Sequence, residues 1–275
     1  MGIVWSPQAV KGLTFTVDYW NTVQTDVVSS AENYSAILAA RFWQALGSSD
    51  AARDAAARNP TTLAAAVAQI YQQTGVTMLW EPDGGTNGLG GLTTTGIALQ
   101  NVYRTNLAGA KTHGYDFGVA FTYDVGNLGT FGWDTKATYQ QSYQYQALQG
   151  EEFTELAGFY SSSYEGAWPK WRAVSTLSWK WKNLDVSAAW HHFHRVMLQD
   201  GVDPIFNTDH LYSFDTWDFN VGYVLPWTKT QILIGVENAF DKLPPRTQGA
   251  TNNFVGAGGY DVKGMFTYVR LTQKF

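Results

Sequence analysis

The 275 residues include no cysteine and few charges. Without cysteine there are no disulfide staples and no thiolate metal sites, although the compartment stays open. Charged residues make up 15% of the chain, against ~25% in an average soluble domain. The 18 basic residues are outnumbered by 23 acidic ones, for a net charge of −5. A nucleic-acid-binding surface needs the opposite sign, so nucleic acid is not expected as a partner. No run approaches the ~20 consecutive apolar residues of a membrane-crossing helix. The first ten residues, MGIVWSPQAV, lack the basic start and apolar stretch of a secretory leader. If the chain works outside the cytoplasm, it is expected to be a mature, engineered or partial one.

Aromatic residues and glycine are abundant: 12 Trp, 15 Tyr, 15 Phe and 27 Gly. That suits a secreted β-rich protein or a membrane barrel. Most of the chain alternates with period two, the mark of strands with one apolar face. Leu13, Phe15, Val17 and Tyr19 alternate with Thr14, Thr16, Asp18 and Trp20. Tyr115, Phe117, Val119, Phe121 and Tyr123 alternate with Asp116, Gly118, Ala120 and Thr122. Similar runs begin near Phe131, Trp171, Leu184, Ser213, Thr230 and Tyr260. Short joins at Asp124–Asn127, Lys182–Asn183 and Pro226–Thr230 alternate with long ones near 146–166, 196–212 and 241–259. Tight turns on one side and long loops on the other characterise an up-and-down outer-membrane barrel. Aromatics near strand ends, at Tyr123, Tyr143, Tyr145, Trp179, Trp181 and Tyr223, fit the girdles of such a barrel. Val119, Phe121, Trp133, Leu177, Val221, Ile232, Ile234, Val236 and Leu271 are then expected to face lipid. In the last strand Met265, Val269, Leu271 and Phe275 share that parity, while Tyr268, Arg270, Thr272 and Lys274 take the lumen side.

The segment from about 24 to 110 breaks the alternation. AENYSAILAARFWQALG and TTLAAAVAQIYQQTG have helical spacing, with Ser48 or Ser49 and Thr61 or Thr62 as N-caps and Gly47 and Gly75 as stops. A glycine-rich tract, PDGGTNGLGG, follows. The segment reads as one long extracellular loop with two or three short helices. The fold class is therefore all-β: an antiparallel up-and-down transmembrane barrel segment of about eight or nine strands with a partly helical loop.

Candidate sites are few. His192 and His194 share a strand face and can chelate a transition metal or ligate haem. The plainer reading places them beside Trp190 at a membrane interface, so they are only weak metal candidates. Asp200, Asp203 and Asp209 offer oxygen ligands for calcium without EF-hand order; they read as solvated loop acids. Trp80 and Trp168 can stack on a sugar or an aromatic ligand, whereas Trp43 reads as the packing anchor of its helix. No nucleophile–base pair and no phosphate-binding loop is present. No enzymatic activity and no cofactor are expected.

GVENAFDKLPP (Gly235–Pro245), a polar loop and GYDVKGMFTYVRLTQKF (Gly259–Phe275) closely resemble the C-terminus of TonB-dependent outer-membrane receptors. The residues carrying the motif are Glu237, Asn238, Phe240, Asp241, Pro244, Pro245 and Phe275. KGLTFTVDYWN (Lys11–Asn21) and NLAGAKTHGYDFGVAFTY (Asn106–Tyr123) resemble other strands of the same barrels. The resemblance implies location in the cell outer membrane of a Gram-negative bacterium, with lipid around the strands. It implies energy-coupled uptake of a scarce nutrient of the siderophore, vitamin, haem or saccharide class. These barrels have ~22 strands around a plug, so residues 1–275 are expected to form a partial barrel domain without the plug and the N-terminal strands. Contact with the energy-coupling TonB-type protein is expected only through that plug, and insertion through the barrel-assembly machinery. The alternatives are a small self-standing porin-like barrel, a barrel enzyme, and a soluble secreted sugar-binding β-domain.

Overall fold

The computed structural model describes residues 1–29, 31–57, 59–74, 78–80, 97–99, 105–148, 150–161, 166–248 and 260–273. The chain divides into two compact units. Met1–Thr22, Lys111–Gln144 and Glu155–Phe275 form the first, and Val23–Ala110 with Tyr145–Thr154 the second.

An antiparallel sheet dominates the first unit. Its strands are β1 (Gly2–Trp5), β2 (Leu13–Ser29), β3 (Thr105–Asp124), β4 (Thr130–Gln146), β5 (Trp171–Trp181), β6 (Leu184–Phe193), β7 (Phe214–Val224), β8 (Thr230–Glu237) and β9 (Phe266–Gln273). Each pairs with the next in chain order, and the short strand Thr154–Glu155 also pairs with β4. This is the expected up-and-down path. Among the described residues β1 and β9 do not pair with each other, so the sheet is open.

Local chemistry sets the tight joins. After β3, Asp124 Oδ1 accepts the Gly126 N–H at 2.9 Å and the Val125 N–H reaches Gly129 O at 2.9 Å. Gly129 has φ +90, and a Cβ there would lie 2.2 Å from the Lys180 carbonyl oxygen. Lys182, between β5 and β6, takes φ 52, as short hairpin turns demand.

The long joins hold more structure than their sequence announces. Phe159–Ser161, Gly166–Ala167, Val196–Leu198 and His210–Leu211 form a second, four-stranded sheet. Its core is Tyr160, Ala167, Val196 and Leu211, flanked by Leu198 and Tyr260. Strands of two or three residues are too short to show a period, which is why these stretches read as plain connections.

The second unit holds α1 (Ala31–Leu46), α2 (Asp50–Ala57) and α3 (Pro60–Thr74). Leu38, Phe42 and Leu46, spaced four apart, pack with Ala66, Ile70 and Leu148, and Trp43 packs beside them as expected. Ser49 Oγ caps α2 through the Ala52 N–H at 3.3 Å. The cap of α3 is Asn59, whose Oδ1 accepts from Thr61 N at 3.0 Å, rather than either threonine. Pro60, which has no N–H to satisfy, occupies the first helical position. Gly75 lies outside the described residues. Met78–Trp80 pairs with Ile97–Leu99. Among the described residues no helix is long and apolar enough to cross a membrane.

Candidate functional site

The two faces of the sheet differ in character. Strand register aligns Phe131, Trp179, Val186, Val221, Ile234 and Val269 in one row across β4 to β9. The next row holds Trp133, Leu177, Ala188, Phe219, Val236 and Thr267. Leu177 is 57% exposed, Ile234 58% and Leu271 68%, against 1% for Phe42 in the helical core. None of the nine residues expected to face lipid belongs to a buried cluster. Polar atoms on this face satisfy each other: Thr135 Oγ1 and Ser175 Oγ lie 2.7 Å apart, and Trp133 Nε1 donates to Ser175 Oγ at 3.1 Å.

Aromatic rings band this face at both ends. At the turn end Phe131 stacks on Trp179 and Trp179 on Trp181. Their indoles donate to Leu128 O at 2.8 Å and Asn127 O at 2.9 Å. At the loop end Tyr19, Tyr115, Phe117, Trp171 and Tyr139 form a continuous chain of ring contacts. Tyr145, expected among the strand-end aromatics, is instead buried at 8% exposure.

The opposite face is polar and close-fitted. Its matching row runs Gly132, Ser178, Ser187, Asn220, Gly235 and Tyr268. Tyr268 lies over Gly235 and donates from its hydroxyl to Asn220 Oδ1 at 2.8 Å. A trough of about 680 Å³ on the sheet is lined by Thr16, Asp116, Asp134, Lys136, Arg172 and His191, among others. Asp116 accepts from Thr138 Oγ1 at 2.7 Å. Asp218 bonds His191 Nε2 at 2.9 Å and accepts the Asn238 N–H at 2.8 Å.

That last contact anchors the motif that follows β8. Asn238 has φ 47, its Oδ1 accepts the Lys242 N–H and its Nδ2 donates to Lys242 O, both at 2.9 Å. Asp241, at φ 51, accepts the Met265 N–H at 2.9 Å. The motif thus closes a corner between the ends of β8 and β9. Glu237 faces the polar side, 3.6 Å from Lys263 Nζ. Phe240 is 71% exposed, its ring edge against Phe219. Pro244 is buried and Pro245 half-buried. Phe275 and Lys274 lie outside the described residues.

The structure places the other candidates as follows. His192 is on the apolar face, its Nδ1 2.7 Å from Asp215 Oδ1, and its ring stacks on Trp190 and meets His194. Burial, with His192 and Arg195 nearby, holds His194 below the usual imidazole range. Asp203 is buried and accepts from Ile205 N, Phe206 N, Thr247 Oγ1 and Gln248 N. It is a clamp rather than a solvated loop acid. The bond from His210, at 2.6 Å, holds the Asp209 carboxyl below its usual range. Burial pushes the Tyr260 hydroxyl up to about 12. Trp168 is half-buried, its ring over Gly166 and near Tyr143. Trp80 lies in the Met78–Trp80 strand. Asp215 and Asp218, each holding a histidine of β6, were not singled out from sequence, because only the register brings them to their partners.

No family model matches the sequence, and no curated protein matches it. Solved structures do. The FrpB iron transporter of Neisseria meningitidis (F3-3 variant) matches with a TM-score of 0.50 and 11% identity, over 98% of this chain and 29% of that one. The siderophore receptor PirA of Acinetobacter baumannii matches with a TM-score of 0.50 and 14% identity, over 100% of this chain and 31% of that one. The chain therefore spans about three-tenths of the length of these two proteins. At such identities the likeness is one of fold. The open up-and-down sheet shares its fold with part of these proteins, in line with the sequence resemblance.

Proposed function

We propose that the chain forms part of the barrel wall of a receptor in the cell outer membrane of a Gram-negative bacterium. The observation that supports this best is the uncovered apolar face. A contiguous apolar surface over many strands is rare in a soluble monomer, and lipid is the medium that accepts it. The ring bands agree in scale. Eight residue steps separate Trp171 from Trp179 in β5, or ~27 Å of strand at ~3.4 Å per residue. At a tilt of ~35–45° that spans about 20 Å of depth, close to the ~25 Å apolar band of such barrels.

In this reading the receptor binds a scarce nutrient at its loop end and imports it with coupled energy. FrpB is named an iron transporter and PirA a siderophore receptor, so iron chelates are favoured over vitamins, haem and saccharides. The plug, the remaining barrel strands and the contact with a TonB-type protein come from other parts of the receptor. Insertion uses the barrel-assembly machinery. The chain carries out no chemistry of its own. Disruption of the gene tests the assignment. Under iron limitation, uptake of radiolabelled ferric siderophores is expected to fall, and to fall equally in intact cells whose proton gradient is collapsed. Unchanged iron uptake with loss of another nutrient would overturn the ligand class. Recovery of the protein in the soluble periplasmic fraction would overturn the membrane reading itself.

A further inference from the structure

We propose that His192 and His194 form a two-imidazole site for a borderline divalent ion of the Cu²⁺/Zn²⁺ class at the loop end of β6. The proposal is independent of the transported nutrient. The two side chains leave the same face two residues apart, with ring centroids 5.8 Å apart and planes at 52°. Two imidazoles bound to one ion at ~2.0–2.1 Å place their centroids about 5 Å apart. The rings as they stand exceed that separation by less than about 1 Å.

The surroundings of His192 match those of a ligating histidine. Its Nδ1 is bonded to Asp215 Oδ1 at 2.7 Å, and ligating imidazoles usually give their second nitrogen to a carboxylate in this way. Nε2 is thereby the nitrogen left for an ion. Asp215 is fixed in turn by Trp190 Nε1 at 3.1 Å, and the Trp190 ring stacks on His192 at 5.2 Å. His194 is pinned through its backbone N–H to Trp171 O at 3.0 Å. Among the described residues the His194 ring nitrogens make no hydrogen bond.

Neither neighbouring histidine competes. His191 points to the polar face and engages Asp218 through Nε2, and His210 engages Asp209. Among the described residues no group of three or more His, Asp or Glu is placed to hold an ion. The site is therefore a two-donor one, completed by water or by a donor the ion brings. Nitrogen donors favour Cu²⁺ and Zn²⁺ and disfavour Ca²⁺ and Mg²⁺, which want oxygens. The nearby Arg195 charge keeps the affinity modest.

The test is Cu²⁺ titration of the full chain folded in detergent micelles, followed by electron paramagnetic resonance. One ion per chain is expected, with hyperfine coupling from two imidazole nitrogens. His194→Gln removes a ring with no hydrogen bond to lose, and is expected to weaken binding at least tenfold with the circular dichroism unchanged. Asp215→Asn is expected to weaken it about tenfold while keeping the two-nitrogen signature. Absence of binding overturns the proposal. So does a spectrum unchanged in His194→Gln and His192→Gln, which would place the copper elsewhere.

Discussion

Asp203 and Thr247 meet through a buried hydrogen bond of 2.8 Å, from the threonine hydroxyl to Oδ2 of the carboxylate, across forty-four positions of the chain. The Gln248 N–H reaches the same oxygen at 2.6 Å, and the Ile205 and Phe206 N–H groups reach Oδ1 at 2.8 and 3.1 Å. One carboxylate thus ties the join after β6 to the segment after the Pro244–Pro245 corner. Burial raises its pKa, but the four bonds together outweigh burial and hold it below the usual carboxylate range. A depressed pKa in the folded state means that the stabilisation is complete above the ordinary value of ~3.9. It is lost as pH falls through the depressed value. The protection of amide hydrogens at residues 200–211 and 244–248, relative to their unfolded exchange rates at the same pH, is expected to be high at neutral pH and to drop under strong acid. Asp203→Asn, which sets an amide N–H₂ against a donor, is expected to show low protection at both, at a cost of ~1–3 kcal/mol.

Gly235 is expected to tolerate no side chain. A Cβ there would lie 2.4 Å from the Tyr268 ring and 2.5 Å from Asn220 Oδ1. Gly235→Ala should cost ~1–3 kcal/mol as overpacking, measured by urea unfolding of the folded chain in detergent. Tyr268→Ala in the same chain removes the ring and releases Asn220 from its hydrogen bond, so the double variant is expected to lose less than the sum of the two singles.

Adjacent positions on β5 are expected to respond oppositely to arginine. Leu177→Arg puts a charge on the apolar face and should cost ~2–4 kcal/mol near the bilayer midplane. Thr176→Arg points to the polar face beside Asp134, its register partner, and is expected to be nearly neutral. Folded fractions in lipid vesicles, read by heat-modifiable gel migration, distinguish the two.

At Asn238 the backbone and the side chain can be separated. The residue sits at φ 47 with both amide atoms bonded to Lys242. Asn238→Gly keeps the left-handed backbone and loses the bonds. Asn238→Ala loses both, with ~1–2 kcal/mol more from the backbone alone. Alanine is expected to be the more destabilising, and equal losses would show that the φ angle carries no strain.

The period-two pattern made the sheet legible, because side chains that alternate between one apolar face and one polar face must alternate in sequence. Leu177, Val221 and Ile234 could be assigned to one face before any pairing was known. Register was another matter. Nothing in β6 or β7 alone says that His192 meets Asp215 or that His191 meets Asp218. The small sheet around Tyr160 and Val196 was hidden for a related reason, since its strands of two or three residues are too short to show a period. The roles of Asn59 and Asp203 rest on backbone N–H groups several residues away, which composition does not reveal. The motif from Glu237 to Pro245 was visible as a pattern, but its work as a corner became clear only from the positive φ angles of Asn238 and Asp241.

The claim that one face of the sheet meets lipid is open to a direct measurement, because the chain has no cysteine. Single cysteines at Thr176, Leu177, Leu233, Ile234, Val269 and Arg270, each carrying a nitroxide, can be compared in bilayers by their collision rates with dissolved oxygen and with a water-soluble nickel chelate. Leu177, Ile234 and Val269 are expected to favour oxygen, which concentrates in lipid, and Thr176, Leu233 and Arg270 to favour nickel, switching at every residue step. Equal nickel access at all six positions, or protection of Leu177, Ile234 and Val269 from both reagents, would mean that the apolar face meets water or a protein core instead.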